Sequence, residues 1–278
     1  MSPPPTDGER RYNARLAVPH YQRIFDGWAR VSAAVRARAP GRLDLAYGPD
    51  PAERLDLFLP EGRPRGTLMY IHGGYWRSLD KSDASLVAPP FTAAGYAVAV
   101  VNYALCPAVS VEAIVAQVRS AATWLATHHV QWDAPAGRLF ACGHSAGGHL
   151  AAMLLATEPA VRAAVCISAL YDLRPLLHVP SVMEATPFTP RSATALSPAL
   201  LRPASAAPLL TALGSEENAG FHEQCGIIQR QWHDVHAGHI DCPGHDHFSI
   251  LDALAQADGV IATAALGLMR SFDDTPSP

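Results

Sequence analysis

Residues 141–151 read ACGHSAGGHLA and place a serine, Ser145, among small residues where an apolar strand gives way to a helix. The preceding RLFAC has the apolar character of a buried strand, and the following HLAAMLLA is rich in alanine and leucine, both strong helix formers. Gly143-His144-Ser145-Ala146-Gly147 fits G-x-S-x-G, in which a sharp turn exposes a serine hydroxyl. Side chains two residues before and after that serine would collide, which explains both glycines. A tightly packed turn without chemistry is the alternative.

Apolar runs of strand length recur on both sides of this turn and alternate with helical patterns. LDLAYG (43–48) and RLDLFLP (54–60) have period two and predict an antiparallel pair at a sheet edge. Nearly continuous apolar runs predict strands covered on both faces, namely TLMYIHGG, YAVAVVNY, RLFACGHS, AAVCISALY and PLLTALGS, and WHDVHAGH is the expected last strand. Residues 111–127 and 146–156 have apolar side chains at helical spacing. The sequence therefore predicts an α/β fold with a mostly parallel central sheet and helices on both faces.

The chain of 278 residues, 49% of them hydrophobic, is long enough for one large domain. We predict disordered ends at 1–9 and 271–278 and a single domain over 10–270. Eight arginines and one acid lie between Arg10 and Arg42, but interspersed apolar residues favour a docked helical arm, about 10–40, over a targeting peptide. Six prolines between 171 and 207 prevent one long helix and predict a small lid after the sixth strand.

Composition narrows the functional classes. The net charge of −4 gives no indication of nucleic-acid binding, and no run of 18 apolar residues predicts a membrane helix. Five cysteines without C-x-x-C spacing, and no signal-peptide core at the N-terminus, favour free thiols and a cytoplasmic protein. The expected partner is a small molecule, with neither nucleic acid nor membrane involved, and a homodimer stays open.

A second glycine-containing segment, His72-Gly73-Gly74-Tyr75-Trp76, follows the strand TLMYI. Acyl-transfer enzymes bind the oxyanion of a tetrahedral intermediate with preorganised backbone amides. The glycines let this loop approach Ser145, so that the amides of Gly74 and Tyr75 join that of Ala146. The predicted oxyanion hole consists of Gly73, Gly74, Tyr75 and Ala146, and a plain strand-to-helix loop is the alternative.

A serine nucleophile needs a base, and the base needs an acid that orients it. In folds with this turn the chain order is Ser, then Asp or Glu, then His. The acid should follow PLLTALGS, where the spacing from Gly214 favours Glu217 over its neighbour Glu216. His247 precedes Phe248 and an apolar helix near the C-terminus, and we prefer it as the base over His239 and His245.

The histidines near the C-terminus also raise the question of a metal site. His233 and His236 fall on the expected last strand at spacings that do not converge, and no H-E-x-x-H pattern is present. We therefore expect no metal and no cofactor. For the substrate pocket we consider Tyr75, Trp76 and Tyr171 as aromatic walls, although Trp76 is equally suited to pack beneath the loop.

With these motifs in view, the chain resembles the arylformamidase branch of the α/β-hydrolases, close to the hormone-sensitive-lipase-like esterases, over about 12–268. The resemblance rests on HGGYW at 72–76, similar to the HGGxW signature, on GHSAGGHLA at 143–151, and on SALYDLRPLL at 168–177. It implies an α/β-hydrolase fold and is consistent with Glu217 and His247. It departs from the family where GFHEQ has a glycine in place of another acid.

Three functional hypotheses remain. The first is a serine hydrolase that deformylates an aryl formamide such as N-formylkynurenine through Ser145, Glu217, His247 and an acyl-enzyme. The second is a general carboxylesterase for short acyl or aryl esters. The third, of another class, is a catalytically silent binding protein of the same fold, because fold alone does not prove function.

Overall fold

An eight-stranded sheet in the order β1-β2-β4-β3-β5-β6-β7-β8 organises the computed structural model, which describes residues 4–273. The strands are β1 Gly41–Ala46, β2 Arg54–Phe58, β3 Thr67–Ile71, β4 Ala97–Val101, β5 Leu139–His144, β6 Val161–Ile167, β7 Leu209–Gly214 and β8 His236–Cys242. Strand β2 is antiparallel to β1 and β4, and every pair from β4 to β8 is parallel. The predicted α/β architecture, including the antiparallel pair at the edge, is confirmed.

Helices cover the central strands on both faces. In β3, β4 and β5 every residue is buried, and because successive side chains point to opposite faces, both faces must be covered. The helices are α1 Asp7–Tyr12, α2 Ala14–Ala17, α3 Tyr21–Arg38, α4 Lys81–Ala84, α5 Ala88–Ala93, α6 Val111–His128, α7 Ala146–Thr157, α8 Pro180–Met183, α9 Pro190–Ala195, α10 Ala219–Gln231, α11 Asp252–Ala255 and α12 Val260–Arg270. Helices α6 and α7 pack together, as do α5, α11 and α12.

The N-terminal arm consists of α1, α2 and α3. Helix α3 packs on α4 and buries Trp28 and Ser32. The hydroxyl of Ser32 donates to the carbonyl of Asp83 at 2.9 Å and accepts from the amide of Leu86 at 3.0 Å, which ties the arm to the domain.

The N-terminal segment predicted as disordered, 1–9, is partly helical. Helix α1 begins at Asp7 because the Thr6 side chain caps it, and Glu9 accepts hydrogen bonds from the amide and hydroxyl of Ser181. The prediction is therefore wrong for residues 7–9, and its residues 1–3 lie outside the described part. Of the C-terminal segment predicted as disordered, 271–278, residues 271–273 form a turn in which Asp273 forms an ion pair with Arg138. Residues 274–278 lie outside the described part of the chain.

Residues 171–207, the predicted lid, connect β6 to β7 through short helices. Both α8 and α9 start at a proline, where the missing N–H costs nothing because the first turn has no intrahelical acceptor. Helix α8 contacts α1, so this segment meets the N-terminal arm. Over residues 4–273 no single helix is long and apolar enough to cross a membrane; one pair bent by 45°, Ser249–Ala255 with Val260–Arg270, has the combined length and composition of a broken span.

Candidate active site

Ser145 occupies a strained turn between β5 and α7. Its φ of 56° and ψ of −119° lie in a region that non-glycine residues rarely adopt. A Cβ on Gly143 would lie 2.2 Å from the carbonyl oxygen of Gly147, and one on Gly147 would lie 2.0 Å from that of Ile71. Only glycine fits either position, so the steric reason inferred from the sequence is confirmed.

Ser145, His247 and Glu217 form a continuous hydrogen-bonded chain. His247 Nε2 lies 3.0 Å from the Ser145 hydroxyl, and His247 Nδ1 lies 2.7 Å from Glu217 Oε2. The three residues follow β5, β8 and β7 respectively, so the carboxyl ends of parallel strands bring them together. They are 3%, 2% and 8% exposed, which shields their mutual interactions from water.

Glu217, rather than Glu216, faces the histidine. Its Oε1 accepts from the Ser168 hydroxyl at 2.5 Å and the Gly214 amide at 2.9 Å, which leaves Oε2 for His247. Glu216 is exposed, and within the described residues its carboxylate accepts a hydrogen bond only from the Ser215 hydroxyl, at 3.2 Å. Sequence reasoning missed Ser168, the first residue after β6, which adopts a φ of 50° and positions the carboxylate.

His144 holds the backbone of His247 in place. Its Nε2 lies 2.7 Å from the carbonyl oxygen of His247, an acceptor, so Nε2 carries the hydrogen. Burial, together with the neighbouring His247, lowers the pKa of His144 to about 3, and the ring is therefore neutral. On its other side His247 packs against Phe221, with ring centroids 4.2 Å apart.

The other histidines near the C-terminus have hydrogen-bond partners other than Ser145 and Glu217. His239 bonds Thr211 at 2.9 Å, and His245 bonds the carbonyl of Ser249 at 3.0 Å. His233 precedes β8, which begins at His236; its predicted place on the last strand is wrong because the turn after α10 extends to Val235. Within residues 4–273 no group of three or more His, Cys, Asp or Glu side chains is suited to a metal ion.

The loop after β3 passes directly beside Ser145. A Cβ on Gly73 would lie 3.3 Å from that of Ser145 and 2.8 Å from the carbonyl oxygen of His144, so the approach requires glycine. Gly74 and Tyr75 adopt positive φ values of 106° and 52°. In the described part of the chain no hydrogen bond engages the N–H groups of Gly74, Tyr75 or Ala146. The loop and the first turn of α7 therefore bring unused donors to the vicinity of the serine.

The cleft that opens at Ser145 has about 480 Å³ of empty space, counting its mouth. Tyr75 lines this cleft, but Trp76 and Tyr171 do not. Trp76 is fully buried against His149 and Phe188, and Tyr171, the first residue of segment 171–207, is 1% exposed. The predicted aromatic wall is therefore wrong for Trp76 and Tyr171, because both pack into the core behind the cleft.

The actual aromatic walls are Phe25, Trp28 and Phe248. Phe25 stacks on Trp28 with centroids 5.0 Å apart and meets Phe248 edge-on at 5.2 Å. The arm thus completes the cleft. The signal in the sequence is the apolar side of the arm, which predicts a docked helix but not the cleft that it covers.

Several known proteins resemble this chain in sequence or in structure. Residues 55–165 match the BD-FAE family model. The kynurenine formamidase of Salmo salar is 29% identical over 251 residues, 84% of each chain. A Silicibacter crystal structure, provisionally described as a thioesterase, superposes with a TM-score of 0.83 at 31% identity, over 93% of this chain and 97% of the other.

The fold also recurs in more distant structures. Esterase B from Lactobacillus rhamnosis superposes with a TM-score of 0.69 at 17% identity, over 92% of this chain and 95% of the other. Together with the strand order and the turn at Ser145, these similarities identify the chain as an enzyme of the α/β-hydrolase superfamily, in its arylformamidase-like branch.

Proposed function

We propose that this enzyme hydrolyses the carbonyl group of a small aryl formamide, such as N-formylkynurenine, through Ser145, His247 and Glu217. The observation that carries the proposal is the hydrogen-bonded chain from the Ser145 hydroxyl through His247 to the Glu217 carboxylate. Serine is a weak nucleophile alone, and a base within hydrogen-bond reach is what activates it.

In the proposed mechanism His247 Nε2 takes the proton of Ser145 as its oxygen attacks the carbonyl carbon. Glu217 then faces an imidazolium, and its negative charge stabilises this form at a site from which water is largely excluded. His247 returns the proton to the departing arylamine. A water molecule, deprotonated by the same histidine, attacks the formyl-enzyme; the bond to Ser145 breaks, formate leaves, and His247 returns the proton to the Ser145 oxygen.

The oxyanion hole in this proposal comprises the loop of Gly73, Gly74 and Tyr75 together with Ala146. The N–H groups of Gly74, Tyr75 and Ala146 are not used by other groups in the described residues, and Ala146 opens α7, whose N-terminal end favours negative charge. Loss of one such donor typically lowers turnover by about 10²–10³-fold.

An aryl formamide is favoured by the aromatic walls of the cleft and by the likeness to a kynurenine formamidase over 84% of the chain. The second candidate is a carboxylesterase. It is supported by the fold shared with esterase B and by the same hydrogen-bonded chain, which serves ester and formamide cleavage alike.

Turnover of N-formylkynurenine beside p-nitrophenyl acetate distinguishes these candidates. We expect efficient deformylation that drops by at least about 10³-fold in Ser145→Ala with the fold intact. Ester turnover without deformylation assigns the enzyme to the carboxylesterases. Absence of both, together with no labelling of Ser145 by a fluorophosphonate, would indicate a silent binding protein and contradict the proposal.

A further inference from the structure

Two arginines from separate parts of the chain line the cleft at Ser145. Arg15 lies on α2 of the arm and donates to the Ser78 hydroxyl at 2.9 Å. Arg77 follows the loop after β3 and donates to the carbonyl oxygen of Ser181. Both partners are neutral. Within residues 4–273 neither guanidinium lies within 4.0 Å of a carboxylate, although other arginines of the chain, such as Arg36 and Arg174, do.

The positive charge in the cleft is therefore not balanced by direct pairing. Burial and the neighbouring Arg77 lower the pKa of Arg15, whose guanidinium lies over the rings of Tyr21 and Phe25 at 5.3 and 5.7 Å. Against the effect of burial, hydrogen bonds from Asn13 and Ser181, followed by the charge of Arg77, lower the pKa of Glu9, so the Glu9 carboxylate is already engaged. Like charges in a partly buried site are costly unless a ligand supplies the opposite charge.

A third donor in the same cleft, unlike the two arginines, has no acceptor among the described residues. Trp28 is 5% exposed, lines the cleft, and its buried Nε1 has no hydrogen-bond partner among the described residues. Buried indole N–H groups usually find an acceptor. Three donors and no carboxylate in one aromatic-walled cleft favour a ligand that combines an aromatic group with an anion.

We infer that Arg15 and Arg77 form an anion-binding subsite that selects substrates carrying a carboxylate beside the aromatic group. The inference deepens the proposed function and rests on it for the reaction, but the subsite itself is defined by binding. Guanidinium groups bind carboxylates through charge-assisted hydrogen bonds. The subsite would hold the far end of the substrate and leave the carbonyl at Ser145.

Paired substrates test the subsite. We compare kcat/KM for N-formylkynurenine and its carboxamide, which differ only in the carboxylate. The unmodified enzyme should prefer the carboxylate by about 10–100-fold, the range expected for a hydrogen bond to a charged group. The preference should fall to about threefold or less in Arg15→Gln/Arg77→Gln and persist in Arg30→Gln, which removes an exposed arm charge outside the cleft.

The ratio of kcat/KM for the carboxylate to that for the carboxamide separates substrate recognition by the two arginines from a purely structural role. If the arginines only hold the arm and segment 171–207 in place, their replacement slows both substrates equally and leaves the preference unchanged, which would overturn the inference. A preference near one in the unmodified enzyme would overturn it as well, whether or not the double variant folds.

Binding to Ser145→Ala makes the result independent of turnover. Calorimetric titration with the same two compounds should show an affinity about 10–100-fold higher for the carboxylate. Carboxylate-selective binding without deformylation by the wild-type enzyme refutes the proposed function and retains the subsite. Deformylation with equal binding of both compounds retains the function and refutes the subsite.

Discussion

Replacing Glu217 by glutamine tests how the acid supports His247. Oε1 of Glu217 accepts from the Gly214 amide at 2.9 Å and the Ser168 hydroxyl at 2.5 Å. In Glu217→Gln the amide oxygen must stay at the Gly214 N–H, and the NH₂ group then faces His247 Nδ1. A donor there forces Nδ1 to accept, so that the hydrogen moves to Nε2, which can no longer take the proton of Ser145.

The charge lost in this variant gives the expected magnitude. A carboxylate and an imidazolium with charge centres about 4 Å apart attract by about 4 kcal/mol at an effective dielectric constant of about 20. This corresponds to about a 10³-fold loss in rate, and the unfavourable tautomer adds to it. We therefore expect kcat/KM of Glu217→Gln to fall by about 10³–10⁴-fold.

The assay is hydrolysis of N-formylkynurenine and p-nitrophenyl acetate, with far-UV circular dichroism to verify folding. Glu216→Gln is the matched control because the Glu216 side chain is exposed and, within the described residues, bonds only the Ser215 hydroxyl, and it should keep kcat/KM within about twofold. A folded Glu217→Gln enzyme that retains a tenth of wild-type activity would refute the role of Glu217 derived from the geometry.

Three further variants probe the surroundings of the hydrogen-bonded residues Ser145, His247 and Glu217. Ser168→Ala removes a donor to the Glu217 carboxylate and should lower kcat/KM about tenfold; an unchanged value would show that the Gly214 amide suffices. Gly147→Ala places a Cβ 2.0 Å from the carbonyl oxygen of Ile71, so urea denaturation should show a loss of about 1–3 kcal/mol, and unaltered stability would contradict the packing. Burial lowers the pKa of His149 from 6.5 to about 4, so the unfolded chain binds a proton that the folded chain does not, and stability should fall as pH decreases through this interval. His149→Gln should reduce that slope by at most about 1.4 kcal/mol per pH unit, measured by denaturation at several pH values, whereas an equal slope would exclude His149 as a source.

The turn at Ser145 was predictable from the sequence because local sterics determine it. Gly143 and Gly147 are required by contacts within the turn and with the adjoining strand, so a five-residue pattern carries the information. The strands were predictable for a similar reason, since burial on both faces leaves a continuous apolar run. The choice between Glu217 and Glu216 needed the fold, because adjacent side chains after a strand point in different directions.

The walls of the cleft were not predictable, because they are formed by segments that lie far apart in the sequence and meet only in the folded chain. Trp76 follows Tyr75 directly, yet the positive φ values of both residues send one ring to the cleft and the other into the core. Phe25 and Trp28 reach the cleft because α3 brings Trp28 against His144, the last residue of β5, with ring centroids 6.3 Å apart. An apolar helix face predicts docking but does not indicate what it covers.

The arm has a consequence for how this enzyme can diversify. The reacting groups follow β5, β7 and β8, whereas Arg15, Phe25 and Trp28 precede the first strand. Mutations in the first 38 residues can therefore reshape what the cleft accepts without moving Ser145, Glu217 or His247. Exchanging this arm between relatives of the same fold should transfer substrate preference while the reaction chemistry is retained, which makes the arm a natural unit for recombination and directed evolution.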